Sequence, residues 1–190
     1  MSVLPFYAGY RRYNDLLAEA VAAMSDEELA LRAVRVGADG GLAPDGSAPD
    51  ESSVHWPIWA IVAHAAGARV HWFCVFLGEP GIERATFVDR ESGEGWEDDL
   101  SKPRTAAEVS SALRTSWDIV EASLRRWTPE MLDEGFPTPT GLHLTRQSLV
   151  TRLITHDGYH AGEIALIQGM HGRPQLDLWP PGAHTVERSG

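Results

Sequence analysis

The chain has one cysteine, Cys74, so it cannot form an internal disulfide. Basic residues are scarce: 16 Lys and Arg stand against 27 Asp and Glu, a net charge of −11. A chain this acidic repels phosphate backbones, so nucleic acid and anionic membrane surfaces are not expected partners. It lacks an uninterrupted apolar run of about 18 residues, and no membrane span is expected. Met1-Ser2-Val3-Leu4-Pro5 lacks a basic stretch leading into an apolar core, so no secretion signal is expected and a cytoplasmic location is. Strand alternation and internal repeats are also missing. What is present is 190 residues with 43% hydrophobic content. That length supports one sizeable core and is short for two.

Helical periodicity dominates. A first helix is predicted from Pro5 to Met24, with Phe6, Tyr10, Tyr13, Leu17, Ala20 and Met24 at helical spacing. Ser25-Asp26-Glu27-Glu28 reads as a capping box opening a short helix to about Arg32. Residues Gly37 to Ser53, rich in Gly, Asp, Ser and Pro, read as a long exposed loop. A second long helix starts near Pro57, a favoured first-turn residue, and stops at Gly78-Glu79-Pro80-Gly81. Residues Ile82 to Arg104 read as another long loop, acidic around Glu91 and Glu97-Asp98-Asp99. Thr105 and Glu108 form a capping box for a third helix, whose stripe is Val109, Leu113, Trp117, Val120, Leu124 and Trp127. A short helical turn follows at Thr128-Pro129-Glu130, then a Pro/Thr/Gly loop to His143. Thr145 caps a fourth helix that ends near Gly169 or Gly172, before Pro174. The expected organisation is one all-α bundle over residues 1–176 and an irregular tail over residues 177–190.

The most informative segment lies in the fourth helix. His156 and His160 are four residues apart and leave one helix face about 6 Å apart along the axis. Leu149, Leu153, Ile164 and Ile167 share their stripe, so both imidazoles point where core side chains belong. A polar pair on a buried stripe needs partners, because leaving it unsatisfied costs a few kcal/mol. A divalent metal is one such partner. Hydrogen-bonded core histidines and surface histidines also occur at this spacing. The pair is not the zinc-protease motif, since Asp157 stands where His-Glu-x-x-His needs its glutamate.

A catalytic metal usually keeps three protein ligands and one open position. The other histidines are His55, His64, His71, His143, His171 and His184. His64 is the best placed, on the inward stripe of the second long helix between Ile61 and Ala68. His71 lies seven residues further along, about 10 Å up the axis, too far to share the ion. His55, His143 and His171 fall at helix ends or in loops. Gly158, Ala161 and Gly162 on the fourth helix, and Ala63, Ala65, Ala66 and Gly67 on the second, predict close helix approach around the three histidines.

Three segments together carry a resemblance: YAGYRRYNDLL from Tyr7 to Leu17, WAIVAHAAGARVHW from Trp59 to Trp72, and HDGYHAGEIALIQGMHG from His156 to Gly172. The chain resembles the DinB-like superfamily of four-helix-bundle metalloproteins, which includes mycothiol- and bacillithiol-dependent enzymes such as maleylpyruvate isomerase-like proteins. The resemblance spans nearly the whole chain. It implies an up-down-down-up bundle with long loops between helices one and two and between two and three. It also implies a metal triad of His64, His156 and His160, zinc or nickel as the ion, and often a homodimer. The implied activity is transfer or isomerisation of a small electrophile with a low-molecular-weight thiol as cosubstrate.

The chemistry leaves alternatives. A thiol at an open metal position is acidified; water there would make a hydrolase instead. A metal-binding bundle without turnover is the third reading. Glu163, three residues after His160, is a candidate base or partner to a ligand. Asp157 should point about 100° away from His156, which suits a structural role. Tyr10, Tyr13, Trp59, Trp72 and Tyr159 read first as core residues, with Trp56 and Trp96 nearer a pocket or interface. Arg69, Arg146 and Arg152 read as surface ion-pairing residues or as partners for a carboxylate on a thiol cosubstrate. Cys74 reads as a buried, inert thiol. Seven tryptophans and the aromatic first helix leave apolar surface to cover, which suits a homodimer. No motif names a substrate.

Overall fold

A computed structural model describes residues 1–34, 55–137 and 143–178. The expected loop over Gly37–Ser53 and the tail beyond Leu178 lie outside these residues. Among the described residues there are four long helices: α1 (Ala8–Ala22), α3 (Ile58–Val70), α4 (Ala106–Arg126) and α6 (Arg146–Met170). Two short helices, α2 (Asp26–Leu29) and α5 (Pro129–Leu132), and two short strands, β1 (Gly135–Pro137) and β2 (His143–Thr145), join them. α3 is central, packed on α4 and α6, and α1 packs on α4.

Sequence chemistry sets most boundaries. The Ser25 hydroxyl accepts from the Glu28 amide while the Glu28 carboxylate takes the Ser25 amide, which starts α2. Thr105 with Glu108, and Thr145 with Ser148, start α4 and α6 in the same way. α1 begins at Ala8, three residues later than expected. Leu4–Tyr7 form a 3-10 turn, and Phe6 is exposed rather than part of the stripe. Tyr10, Leu17 and Val21 do face inward.

α3 is apolar all round and buried nearly all round, as a core helix should be. A π-helical turn, His71–Phe76, extends it, with the Leu77 amide bonded to the Trp72 carbonyl. Gly78, at φ 70°, ends it. By length and composition Ile58–Phe76 would suffice to cross a membrane, but 72% of this stretch is buried inside the fold. The stripe on α4 is buried as expected, from Val109 through Trp127. Trp127 stacks on Phe73 at 5.2 Å, and its indole donates to Glu79.

Three features depart from the sequence reading. Residues 135–145 contain a small antiparallel ribbon, Gly135 opposite Thr145 and Pro137 opposite His143, where a plain loop was expected. Strands of three residues are too short to display a period of two. Residues 82–104, expected as a long loop, carry local structure and buried side chains. They hold 3-10 turns at Ile82–Arg84 and Trp96–Asp98, a bridge between Val88 and Gly95, and buried Ala85, Phe87 and Val88. The α6 glycines do not mediate close approach: a Cβ on Gly158 or Gly162 would meet nothing within 4 Å. They line an open cavity of about 530 Å³ between α1 and α6 instead. On α3, Gly67 faces Glu97 and Val88, so its small size admits the 82–104 segment.

A polar cluster sits inside the bundle. Arg69 and Asp157 are both fully buried, with Arg69 Nε 2.9 Å and Nη2 2.8 Å from Asp157 Oδ2. Arg69 also donates to Asn14 Oδ1 at 2.6 Å and to Ser116 Oγ at 3.3 Å. The Tyr10 hydroxyl donates to Asp157 Oδ2 and the Tyr13 hydroxyl to the Asp157 carbonyl. Arg69 is therefore not a surface ion-pairing residue. It joins side chains of α1, α3, α4 and α6 in one network.

Candidate metal centre

His64 on α3 and His156 and His160 on α6 form a tight triangle. One ring nitrogen from each lies within 4.8 Å of the others. The ring centroids are 5.0 Å apart for His64 and His156, 5.1 Å for His64 and His160, and 4.5 Å for His156 and His160. The α3–α6 contact supplies the geometry. The i, i+4 spacing brings the α6 pair together, and α3 lays His64 across from it. All three are partly buried. Trp56 lies against His64 at 4.8 Å, and exposed Tyr159 lies against His160 at 5.2 Å.

Each imidazole has a carboxylate behind it. Glu97 Oε1 is 3.2 Å from His64 Nδ1, and Glu163 Oε2 is 2.9 Å from His160 Nδ1. Asp157 Oδ1 is 3.6 Å from His156 Nδ1, beyond hydrogen-bond length, and both atoms are buried without a hydrogen-bond partner. An ionised carboxylate only accepts, so at His64 and His160 the ring proton belongs on Nδ1 and Nε2 carries the lone pair. His64 Nε2 and His156 Nε2 face each other at 3.2 Å. With the lone pair on His64 Nε2, the 3.2 Å gap holds either a proton carried by His156 Nε2 or a cation shared by both rings. Burial lowers the His160 pKa, Glu163 pulls it up, and the neighbouring His156 and His64 push it down. The net shift favours the neutral ring, the form that can donate to a metal.

Of the residues singled out from sequence, His64, His156 and His160 come together, and Glu163 stands behind His160. His55 and His71 are exposed and outside the triangle. His143 is in β2, and His171 Nε2 meets the Arg32 carbonyl at 2.8 Å. His184 lies outside the described residues. Tyr10 and Trp59 are core residues, while Trp72 lines a cavity beside His64. Arg146 pairs with Glu134 at the surface. Cys74 is buried, and burial together with Glu83 and Glu79 pushes its thiol up to about 11, so it is no nucleophile at neutral pH.

Glu97 was missed. It lies in a segment read as loop, 33 residues from His64, and no spacing rule links a loop acid to a distant helix. The acidic run Glu97-Asp98-Asp99 was the only trace of it. Gly95 is what makes room for it: a Cβ there would stand 2.1 Å from Glu97 Oε2.

A mainly helical protein whose central and last helices bring three histidines onto one point belongs to a recognisable class. The DinB superfamily profile matches residues 10–164, and the chain belongs to that superfamily. The crystal structure of a DinB-like protein from Bacillus cereus shares the fold with a TM-score of 0.62 at 16% identity, covering 90% of this chain and 93% of that one. No curated protein matches the chain.

Proposed function

We propose that this DinB-superfamily protein is a divalent-metal protein of the up-down-down-up bundle type. In this reading His64, His156 and His160 hold one zinc or nickel ion, and an exogenous small ligand takes the remaining position. The observation that carries it is the convergence of three imidazole nitrogens within 4.8 Å, with carboxylates on the outer nitrogens of His64 and His160. Plain core histidines would be satisfied by hydrogen bonds. Here an N–H···N bond between His64 Nε2 and His156 Nε2 would leave the buried His156 Nδ1 without a partner, whereas a shared cation takes both Nε2 lone pairs and leaves the His156 ring proton on Nδ1, toward Asp157.

A divalent ion held there would acidify a thiol or a water placed beside it. The protein's own groups do the rest. Glu97 and Glu163 keep their histidines in the donor tautomer and fix the ring planes. Glu163, more exposed than Glu97, can also take a proton from an incoming ligand and pass it to solvent. We favour a thiol-dependent S-transferase or isomerase acting on a small electrophile. A hydrolase is the second reading, since water is acidified by the same site.

Titrating the cobalt-substituted protein with low-molecular-weight thiols separates the two. A sulfur-to-cobalt charge-transfer band is expected for the thiol reading. No spectral change with any cellular thiol, together with turnover of an ester or amide, would move the protein to the hydrolase class. Gly95→Ala provides a second check. The added methyl group displaces the end of the flexible Glu97 side chain rather than backbone. Metal affinity should therefore fall by about tenfold or more with the melting temperature nearly unchanged. Unaltered affinity would show that Glu97 does not support His64.

A further inference from the structure

A cavity of about 350 Å³ opens beside the histidines, with His64 and His156 in its wall. Arg152, also in that wall, sits on α6 four residues before His156, so the two side chains leave the same helix face about 6 Å apart along the axis. The Arg152 guanidinium lies over the Trp72 ring, 5.5 Å from its centroid. Among the described residues no carboxylate pairs with it. Arg69, Arg104 and Arg146 are each matched to an acid; Arg12 and Arg90, like Arg152, are exposed and are not, but Arg152 alone of these three lines the cavity. The acid in the cavity wall, Glu97, is engaged with His64. A chain of net charge −11 thus keeps an uncompensated, fork-shaped cation at the edge of its histidine site.

The cation–π approach to Trp72 holds the guanidinium at the cavity wall, and its N–H groups bond no acceptor among the described residues, so a carboxylate can take two parallel hydrogen bonds from them. Trp72, Leu153 and Val88 give the cavity an apolar lining, and Gly93, with open space where its Cβ would be, adds no side chain to it. We propose that this cavity binds a small carboxylate with a flat apolar body. The carboxylate sits on Arg152, the body lies along Trp72 and Leu153, and the far end faces His64 and His156. This names the substrate class of the metal site proposed above and rests on that reading only for the reacting end. The grip on the anion rests on Arg152.

The test is calorimetric titration of zinc-loaded and metal-free protein with benzoate and with its neutral isostere benzamide. Benzoate is expected to bind about tenfold or more tightly than benzamide. Arg152→Met should weaken benzoate by about tenfold or more and leave benzamide unchanged, with Arg152→Lys intermediate because an ammonium lacks the fork. Arg152 is exposed, so its removal leaves the fold intact, and zinc stoichiometry should not change. Absence of benzoate binding, equal binding of the two probes, or wild-type benzoate affinity in Arg152→Met would overturn the proposal. If the protein retains no zinc, the metal site fails. The metal-free titration still reads Arg152, and discrimination between the probes there sustains the anion site while its loss overturns it.

Discussion

Replacing Asp157 with alanine is expected to cost about 3–5 kcal/mol of stability, the range for leaving one half of a buried ion pair uncompensated. Arg69 would remain fully buried with its charge and only neutral partners, Asn14 and Ser116. The Tyr10 hydroxyl would lose its acceptor as well. Against a total of about 5–15 kcal/mol for a typical domain, that is a large share. Asp157→Asn should cost less, since an amide oxygen still accepts from Arg69 and Tyr10. Removing both charges with Arg69→Met and Asp157→Leu should recover part of the loss, but not all, because Asn14 and Tyr10 stay unpaired. Urea denaturation followed by circular dichroism measures each variant. An Asp157→Ala variant within about 1 kcal/mol of wild type would show that the network does not hold the helices together.

The second large effect is on metal binding. His64→Ala, His156→Ala and His160→Ala should each weaken zinc binding by on the order of a hundredfold or more, beyond the roughly 10–100-fold typical of losing an outer partner. All three side chains are partly exposed, so the helices should survive their removal. His71→Ala and His55→Ala should bind zinc as wild type does, because neither ring reaches the triangle. Competition against a zinc chelator gives the affinities. Loss of binding in His71→Ala with His64→Ala intact would reverse the assignment.

The sequence displayed these features unequally, for physical reasons. The α4 stripe was legible because a surface helix must alternate buried and exposed faces, and Val109 through Trp127 do so. The histidine pair was legible because an i, i+4 spacing is a local distance. His64 was reached by its place between Ile61 and Ala68 and by setting the other histidines aside; α3 is apolar on every side, so its stripe is a weak guide, and the resemblance to known bundles reinforced the choice. The buried role of Arg69 was neither of the two read from sequence, surface ion pairing or contact with a cosubstrate carboxylate, because its partners lie 55 and 88 residues away on other helices. Glu97 was hidden in a segment with no period. The α6 glycines suggested tight packing, but a missing side chain looks the same in sequence whether a helix or an open cavity lies beside it.

The central claim is that three imidazoles hold one ion and leave a position free. X-ray absorption spectroscopy at the zinc edge, on protein loaded with one equivalent, tests it most directly. The expected shell is three imidazole nitrogens and one exchangeable light atom, at about 2.0–2.2 Å, with no sulfur until a thiol is added. Fewer than three imidazoles, a sulfur in the resting shell, or a protein that retains no zinc would contradict the account.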